Sequence, residues 1–236
     1  MFALLVLADT AAERAGNIPE PIVAETVTDI DGTTGGEVEF DLTGYATSHV
    51  QSASLEVEWR VFSRLGVELE AGLGDESSGW DGDLRLGASV PLVHYRGFHL
   101  MLEGGARVLD RGTEQEPGEF ALPYFAGARV GERFGIVTLR AGLDAELGGG
   151  GARVPLAGDL AVLVEYGPHR RGFAGVEGLV DGAAALPVTI IPEITYLFGT
   201  RLRLGVAVPI GDDPSSGSTS VGILLRATLE LEDDDD

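Results

Sequence analysis

The chain contains no cysteine and no lysine, and none of its apolar stretches approaches 18 residues. The absence of cysteine excludes a disulfide framework, a thiolate metal site and a cysteine nucleophile. The shortness of the apolar stretches means that no segment is predicted to cross a membrane as a helix. All 16 basic residues are arginine, which we attribute to the codon usage of a GC-rich genome and not to a chemical requirement.

Positive charge is scarce, since 16 arginines stand against 38 acidic residues and the formal net charge is -22. Such acidity argues against nucleic-acid binding, because a phosphate backbone requires a basic face. The mean hydropathy is nevertheless +0.14. A continuous apolar outer band with carboxylates facing water elsewhere explains both values. A soluble acidic β-sandwich with a well-filled core is the alternative, and either fold fits one domain of this length.

The N-terminal segment differs from the rest of the chain. Residues 2–8 are apolar (FALLVLA) and small residues follow at Ala11 and Ala12, as at the end of a secretory signal, although a basic n-region is missing. A frayed apolar N-terminus explains the same residues. Residues 9–36 carry no sustained period, so we predict a leader over residues 1–36, made of a signal-peptide remnant or frayed N-terminus followed by an irregular segment.

From residue 37 the sequence alternates with period two, which places apolar and polar side chains on opposite faces of β-strands. The stretch LEVEWRVF from Leu55 to Phe62 shows this alternation clearly. The even number of segments and their lengths predict a closed antiparallel up-and-down transmembrane β-barrel of about 12 strands over residues 37–232, with an acidic tail at 233–236. The predicted strands are 37–46, 54–62, 66–73, 83–92, 98–108, 119–130, 135–147, 153–166, 172–181, 188–198, 201–210 and 218–231.

The links between segments alternate in character. Every other link is short, as at 63–65 and 131–134, whereas most of the others are longer and acidic or rich in glycine and serine. Short periplasmic turns and long extracellular loops are typical of outer-membrane barrels. Aromatic residues gather beside the short turns and predict a girdle at that membrane interface, while Tyr45 and Trp80 are candidates for the other rim. The predicted girdle consists of Phe62, Tyr95, Phe98, Phe134, Tyr166, Phe173, Tyr196 and Phe198.

With these features the chain resembles small bacterial outer-membrane β-barrel proteins of porin-like architecture. The stretches ETVTDIDG, GEVEFDLTG and SLEVEWRVFSRLGVELE are similar to barrels of the myxobacterial type, and the resemblance covers Glu37 to Leu231. The resemblance implies a location in the bacterial outer membrane. The last strand departs from the usual pattern, because it ends in Leu231 and Glu232 before four aspartates and lacks the terminal aromatic residue of such barrels.

The face opposite the apolar stripe carries carboxylates, arginines and glycines. If the lumen is wet, the excess of carboxylates favours cations in a narrow passive channel, and the inward glycines leave space for one. If arginines instead reach across to carboxylates, the lumen is plugged and the barrel has a structural or interaction role with acidic extracellular loops. The candidate lumen-lining residues are Glu56, Glu58, Arg60, Glu68, Glu70, Arg85, Glu103, Arg107, Arg129, Arg140, Asp144, Glu146, Glu165, Glu177, Glu193, Arg203 and Arg226.

Enzymatic chemistry has little support in the sequence. The four histidines show no defensible Ser–His–acid spacing, and glutamates two residues apart share a face simply because the strand period is two. We predict no catalytic residue, no metal and no cofactor, and we keep a membrane-embedded hydrolase only as a third hypothesis. The expected partners are the lipid bilayer of the outer membrane and small solutes or ions, with no nucleic acid and no protein partner that the sequence identifies.

Overall fold

The computed structural model describes residues 38–47, 50–62, 64–76, 79–95, 97–110, 124–147, 156–181, 188–199, 201–213 and 218–231. The predicted leader and acidic tail lie outside these residues. Nearly all of the described chain is β-strand, with one turn of 3-10 helix at Pro168–Arg170. The strands are β1 Val38–Ala46, β2 Gln51–Phe62, β3 Leu65–Glu76, β4 Gly79–Tyr95, β5 Phe98–Asp110, β6 Tyr124–Phe134, β7 Val137–Leu147, β8 Leu156–Tyr166, β9 Gly172–Asp181, β10 Val188–Phe198, β11 Leu202–Ala207, β12 Ile210–Asp213, β13 Ser218–Val221 and β14 Ile223–Leu231.

The strands form one closed antiparallel sheet. Consecutive strands from β1 to β10 pair with each other, β10 pairs with both β11 and β12, and β14 pairs with β11 and β1. The halves β11 and β12 continue one barrel strand, and β13 and β14 continue another, so the barrel has 12 strands. This confirms the predicted fold class. The first and last strands meet with Val38 opposite Leu231, on the rim that carries the short turns.

The fourth strand is longer than the sequence predicted. We expected it to end at residue 92, near Pro91, but β4 runs on to Tyr95. A register shift between Pro91 and Val93 leaves Leu92 out of the pairing with β5. Such a bulge leaves one residue unpaired next to the proline, which has no N–H to donate. Regular pairing between β4 and β5 then continues beyond it.

Two prolines explain why two barrel strands are interrupted at one level. The amide of Val208 donates to the carbonyl of Pro192 at 3.0 Å, and the amide of Gly222 donates to the carbonyl of Pro209 at 2.9 Å. Proline has no N–H, so neither Pro192 nor Pro209 can return the second hydrogen bond of its rung. The carbonyls of Val208 and Gly222 therefore face positions that hold no ladder donor.

Replacing Pro192 by valine should consequently stabilise the barrel. The side chain of Pro192 points outward, so valine needs no interior space. The restored donor removes an unsatisfied carbonyl worth about 1–3 kcal/mol. This exceeds the roughly 0.4–1 kcal/mol by which proline restricts the unfolded chain. Urea unfolding in detergent micelles measures the change, with Ile194→Val on the same face of β10 as the control that leaves the ladder intact. No gain over wild type would contradict the explanation.

The two faces of the wall differ sharply in polarity. Leu139 is 41% exposed, whereas its neighbours Thr138 and Arg140 are 0% and 4% exposed. The same alternation runs through β2, β3, β10, β11 and β14, with leucine, isoleucine and valine outward and charged residues inward. A soluble β-sandwich has the opposite arrangement, with an apolar core, so that alternative is wrong. An exposed apolar band around a closed barrel is the surface that lipid covers.

Within the residues that the structure describes, none forms a helix long and apolar enough to traverse a bilayer.

Candidate functional site

The interior of the barrel is the candidate functional site. The structure turns almost the whole predicted lumen set inward, where each side chain is buried or half-buried. Arg107 and Glu146 lie on β5 and β7, but their side chains are outside the described part of the structure. The inward members are Glu56, Glu58, Arg60, Glu68, Glu70, Arg85, Glu103, Arg129, Arg140, Asp144, Glu165, Glu177, Glu193, Arg203 and Arg226.

Arg129 on β6 is the centre of one interior cluster. It makes a two-pronged hydrogen bond to Asp144 on β7, at 2.9 and 2.6 Å. It also lies 2.9 Å from Glu103 on β5 and 3.8 Å from Asp159 on β8. Gly142 permits this approach, because a Cβ there would collide with the guanidinium. One arginine thus binds three carboxylates from three strands.

A second cluster lies where the barrel closes. Arg226 on β14 donates to Asp41 on β1 at 2.8 Å and lies 3.5 Å from Glu39. The hydroxyl of Thr228 donates to the same carboxylate of Asp41. These buried contacts join the first and last strands from the inside, in addition to their backbone ladder.

Near the short-turn rim, Glu165 accepts from two arginines. Arg133 reaches it at 2.5 Å and Arg170 at 3.3 Å. The sequence analysis placed Arg133 in a turn and missed its inward position. The signal was present, because Arg133 follows Arg129 by four residues and therefore shares its face.

The fourth charged group surrounds Arg85 on β4. Its guanidinium lies 3.4 Å from Glu68, 4.0 Å from Glu70 and 4.1 Å from the centre of the Phe125 ring. Arg85 remains 31% exposed, unlike Glu68, which is buried beside it. This group lies in the middle and outer parts of β3, β4 and β6, towards the predicted extracellular side.

Part of the interior is apolar, which the sequence analysis did not predict. Ile191, Ala207 and Leu224 form a buried cluster on β10, β11 and β14, and Tyr45 and Leu179 pack against it. The prediction that Tyr45 lies at a lipid-facing rim is therefore wrong. Its ring covers Gly222 from the inside, and its parity with Asp41 turns it inward. Trp80, the other candidate for that rim, has a side chain outside the described part.

Most of the predicted girdle points outward beside the short turns. Tyr196 packs against Phe198 with ring centres 5.0 Å apart and against Tyr166 at 6.5 Å. Phe173 is the exception and its assignment is wrong, because it is 8% exposed and stands opposite the inward residues Glu165 and Thr195. The outward members are Phe62, Tyr95, Phe98, Phe134, Tyr166, Tyr196 and Phe198.

Solvent reaches the interior unevenly. Glu56, Glu70, Asp83 and Asp144 are half-buried in the middle and outer parts of their strands. Most inward residues towards the short turns are buried, including Arg60, Thr138, Leu163 and Glu230. The half-buried carboxylates on β2, β3, β4 and β7, which we call the acidic recess, are therefore more exposed than the ion-paired residues near the short turns. In the same described part, no group of three or more His, Asp or Glu side chains is arranged to hold a metal ion.

Comparison with known proteins identifies the fold. No protein-family model and no curated protein matches the sequence. Among solved structures, the chain is similar to the KdgM porin (TM-score 0.62, 10% identity, covering 82% of this chain and 99% of that one). It is also similar to the NanC porin (TM-score 0.60, 8% identity, 82% and 100%). Outer membrane phospholipase A from Escherichia coli follows at a TM-score of 0.50, with 11% identity and 83% and 93% coverage. The chain therefore has the porin-like fold of bacterial outer-membrane β-barrels.

Proposed function

We propose that the chain is a narrow outer-membrane channel for small cations. The observation that carries this proposal is the charge of the inward face, where carboxylates outnumber arginines in each of the clusters around Arg85, Arg129 and Arg226. A low-dielectric wall focuses the field of such charges into the lumen and raises the local concentration of cations. The half-buried carboxylates of the recess line the path from outside.

The named ligand of one structural neighbour does not transfer to this chain. A KdgM porin structure contains oligogalacturonate, whose sugar units carry carboxylates. An interior with excess carboxylates repels a polyanion of this kind. The excess of carboxylates inside this barrel instead supports a channel for solutes of the opposite charge. We propose no catalytic role for the interior.

Burial towards the short turns favours a second candidate function, a barrel with a plugged lumen. Glu58, Arg60 and Arg203 are all buried there. Under the channel proposal, these flexible side chains exchange ion-pair partners and let small ions pass with low conductance. Under the second candidate they remain fixed, and the barrel serves as a scaffold for its loops.

Current through planar bilayers tests the channel proposal. In a tenfold KCl gradient, the purified barrel should give small single-channel current steps. The reversal potential of this current should have the sign expected for cation selectivity. The variant Glu70→Gln/Asp83→Asn removes two half-buried carboxylate charges at nearly constant volume and should shift the reversal potential towards zero. The shift should be greatest at low salt, where the Debye length is about 30 Å at 0.01 M. Absence of current at any salt concentration supports the plugged barrel, and anion selectivity contradicts the proposed solute.

A further inference from the structure

One aromatic ring in the interior lies flat against the barrel wall, over a glycine that leaves room for it. Phe125 on β6 points inward between the exposed residues Tyr124 and Ala126. It stands opposite Gly105 on β5, which in turn stands opposite Gly87 on β4. A Cβ on Gly105 would run into the ring. The ring therefore lies along the wall, reaching from its own strand across β5 towards β4.

The inner face of this ring already binds a cation. The guanidinium of Arg85 sits 4.1 Å from the ring centre. Glu68 and Glu70 approach the same guanidinium at 3.4 and 4.0 Å, so it is held between an aromatic face and two carboxylates. Because Arg85 is 31% exposed, lumen water and solutes reach it.

We propose that the face of Phe125, together with Glu68 and Glu70, is a subsite for an organic cation in transit, and that Arg85 is its tethered occupant. The inference rests on the proposed channel function and deepens it by naming the class of solute. An aromatic face attracts weakly hydrated ammonium and guanidinium groups. Carboxylates beside it exclude anions and give neutral sugars no comparable attraction.

The occupant makes the subsite selective. A solute that binds Phe125 must first displace Arg85 from the ring and from both carboxylates. An incoming organic cation with a delocalised charge can replace the contacts that Arg85 makes, since it meets the same ring and the same carboxylates. Arg85 is thus a specificity-determining residue, and its removal should leave the subsite vacant.

Binding of tetramethylammonium to the detergent-solubilised barrel tests this directly, by saturation-transfer NMR on the methyl resonance. Arg85→Gln should bind the probe about 2- to 30-fold more tightly than wild type, the range expected for an aromatic cation contact. Adding Phe125→Leu to Arg85→Gln should abolish the gain. Arg133→Gln is the matched control, because it removes another inward positive charge that lies beside Glu165 and not on a ring. Heat-modifiable migration on a gel verifies barrel closure for each variant.

The outcomes separate this inference from the proposed function. A gain in Arg85→Gln that Phe125→Leu removes supports the subsite, whether or not the wild-type barrel conducts. An unchanged affinity, a gain that survives Phe125→Leu, or an equal gain in Arg133→Gln overturns it. If Arg85→Gln does not close into a barrel, Arg85→Lys serves instead. Lysine lacks the planar guanidinium, so the probe should displace it from the ring of Phe125 more readily. Loss of bilayer current, by contrast, counts against the channel alone.

Discussion

Replacing Arg129 by methionine is expected to lower the free energy of unfolding by about 3–5 kcal/mol, the cost of removing one partner from a buried charge cluster. Methionine keeps much of the side-chain length but removes the charge that holds Glu103, Asp144 and Asp159 together. The three carboxylates would then face each other with little solvent to screen them. Repulsion and lost hydrogen bonds act in the same direction.

Equilibrium unfolding in urea, with the barrel in detergent micelles, measures this loss. Arg170→Met is the control, since it also removes an arginine from a carboxylate but at an exposed position in the turn. Because Arg170 is exposed and the buried Glu165 keeps Arg133 as a partner, the expected loss is only about 0.2–1 kcal/mol. Adding Asp144→Asn to Arg129→Met should recover part of the loss by relieving the repulsion. Equal costs for Arg129→Met and Arg170→Met would show that the cluster is hydrated and contributes little.

Placing arginine at Leu225 should destabilise the barrel by about 2–4 kcal/mol, because lipid cannot solvate the charge near the bilayer midplane. Leu225 lies on the exposed face of β14, near the middle of the barrel strand that β13 and β14 form together. It stands opposite Gly44 and Val206, and the apolar residues Leu42 and Ile223 are exposed nearby, so an arginine there has an apolar environment.

The inward control for this experiment is Ser54→Arg on β2. Ser54 is half-buried and lies on the same face as Glu56, so the introduced charge gains carboxylates to pair with. Thr138 and Gly222, which the sequence pattern alone suggests, are unsuitable because Thr138 is fully buried and the ring of Tyr45 covers Gly222. A cost for Ser54→Arg as large as that for Leu225→Arg would refute the assigned facing.

The strands and the direction of their side chains could be predicted, because successive side chains of a strand point to opposite faces of the barrel wall. Lipid on one face and charged groups on the other therefore make apolar and polar residues alternate. The stretch from Leu55 to Phe62 shows why, since its leucine, valine and tryptophan alternate with glutamate and arginine. The interruption between β11 and β12 was not predicted. The interruption depends on a pair of residues, because Pro209 lies opposite Gly222 on the neighbouring strand and cannot donate to it. The sequence does not show which residues of two strands stand opposite each other.

The interior was harder to predict, because alternation gives the face of a residue and not its neighbours. Tyr45 and Phe173 were assigned to the lipid by residue type, although parity with Asp41 and Glu177 already placed them inside. Which carboxylates Arg129 binds depends on side chains from β5, β7 and β8 converging across the lumen. The apolar cluster at Leu224 likewise forms from strands distant in sequence.

Spin-label accessibility along β2 tests the central claim, a membrane-spanning barrel with an apolar outside and a charged inside. The chain has no cysteine, so single cysteines from 52 to 57 can be labelled without background in lipid vesicles. Labels at positions 53, 55 and 57 should collide with dissolved oxygen, which concentrates in lipid. Labels at 52, 54 and 56, where the inward side chains are half-buried, should be shielded from oxygen. Alternation with period two is the predicted result, and uniform accessibility, or a monodisperse protein that needs no detergent, would contradict the account.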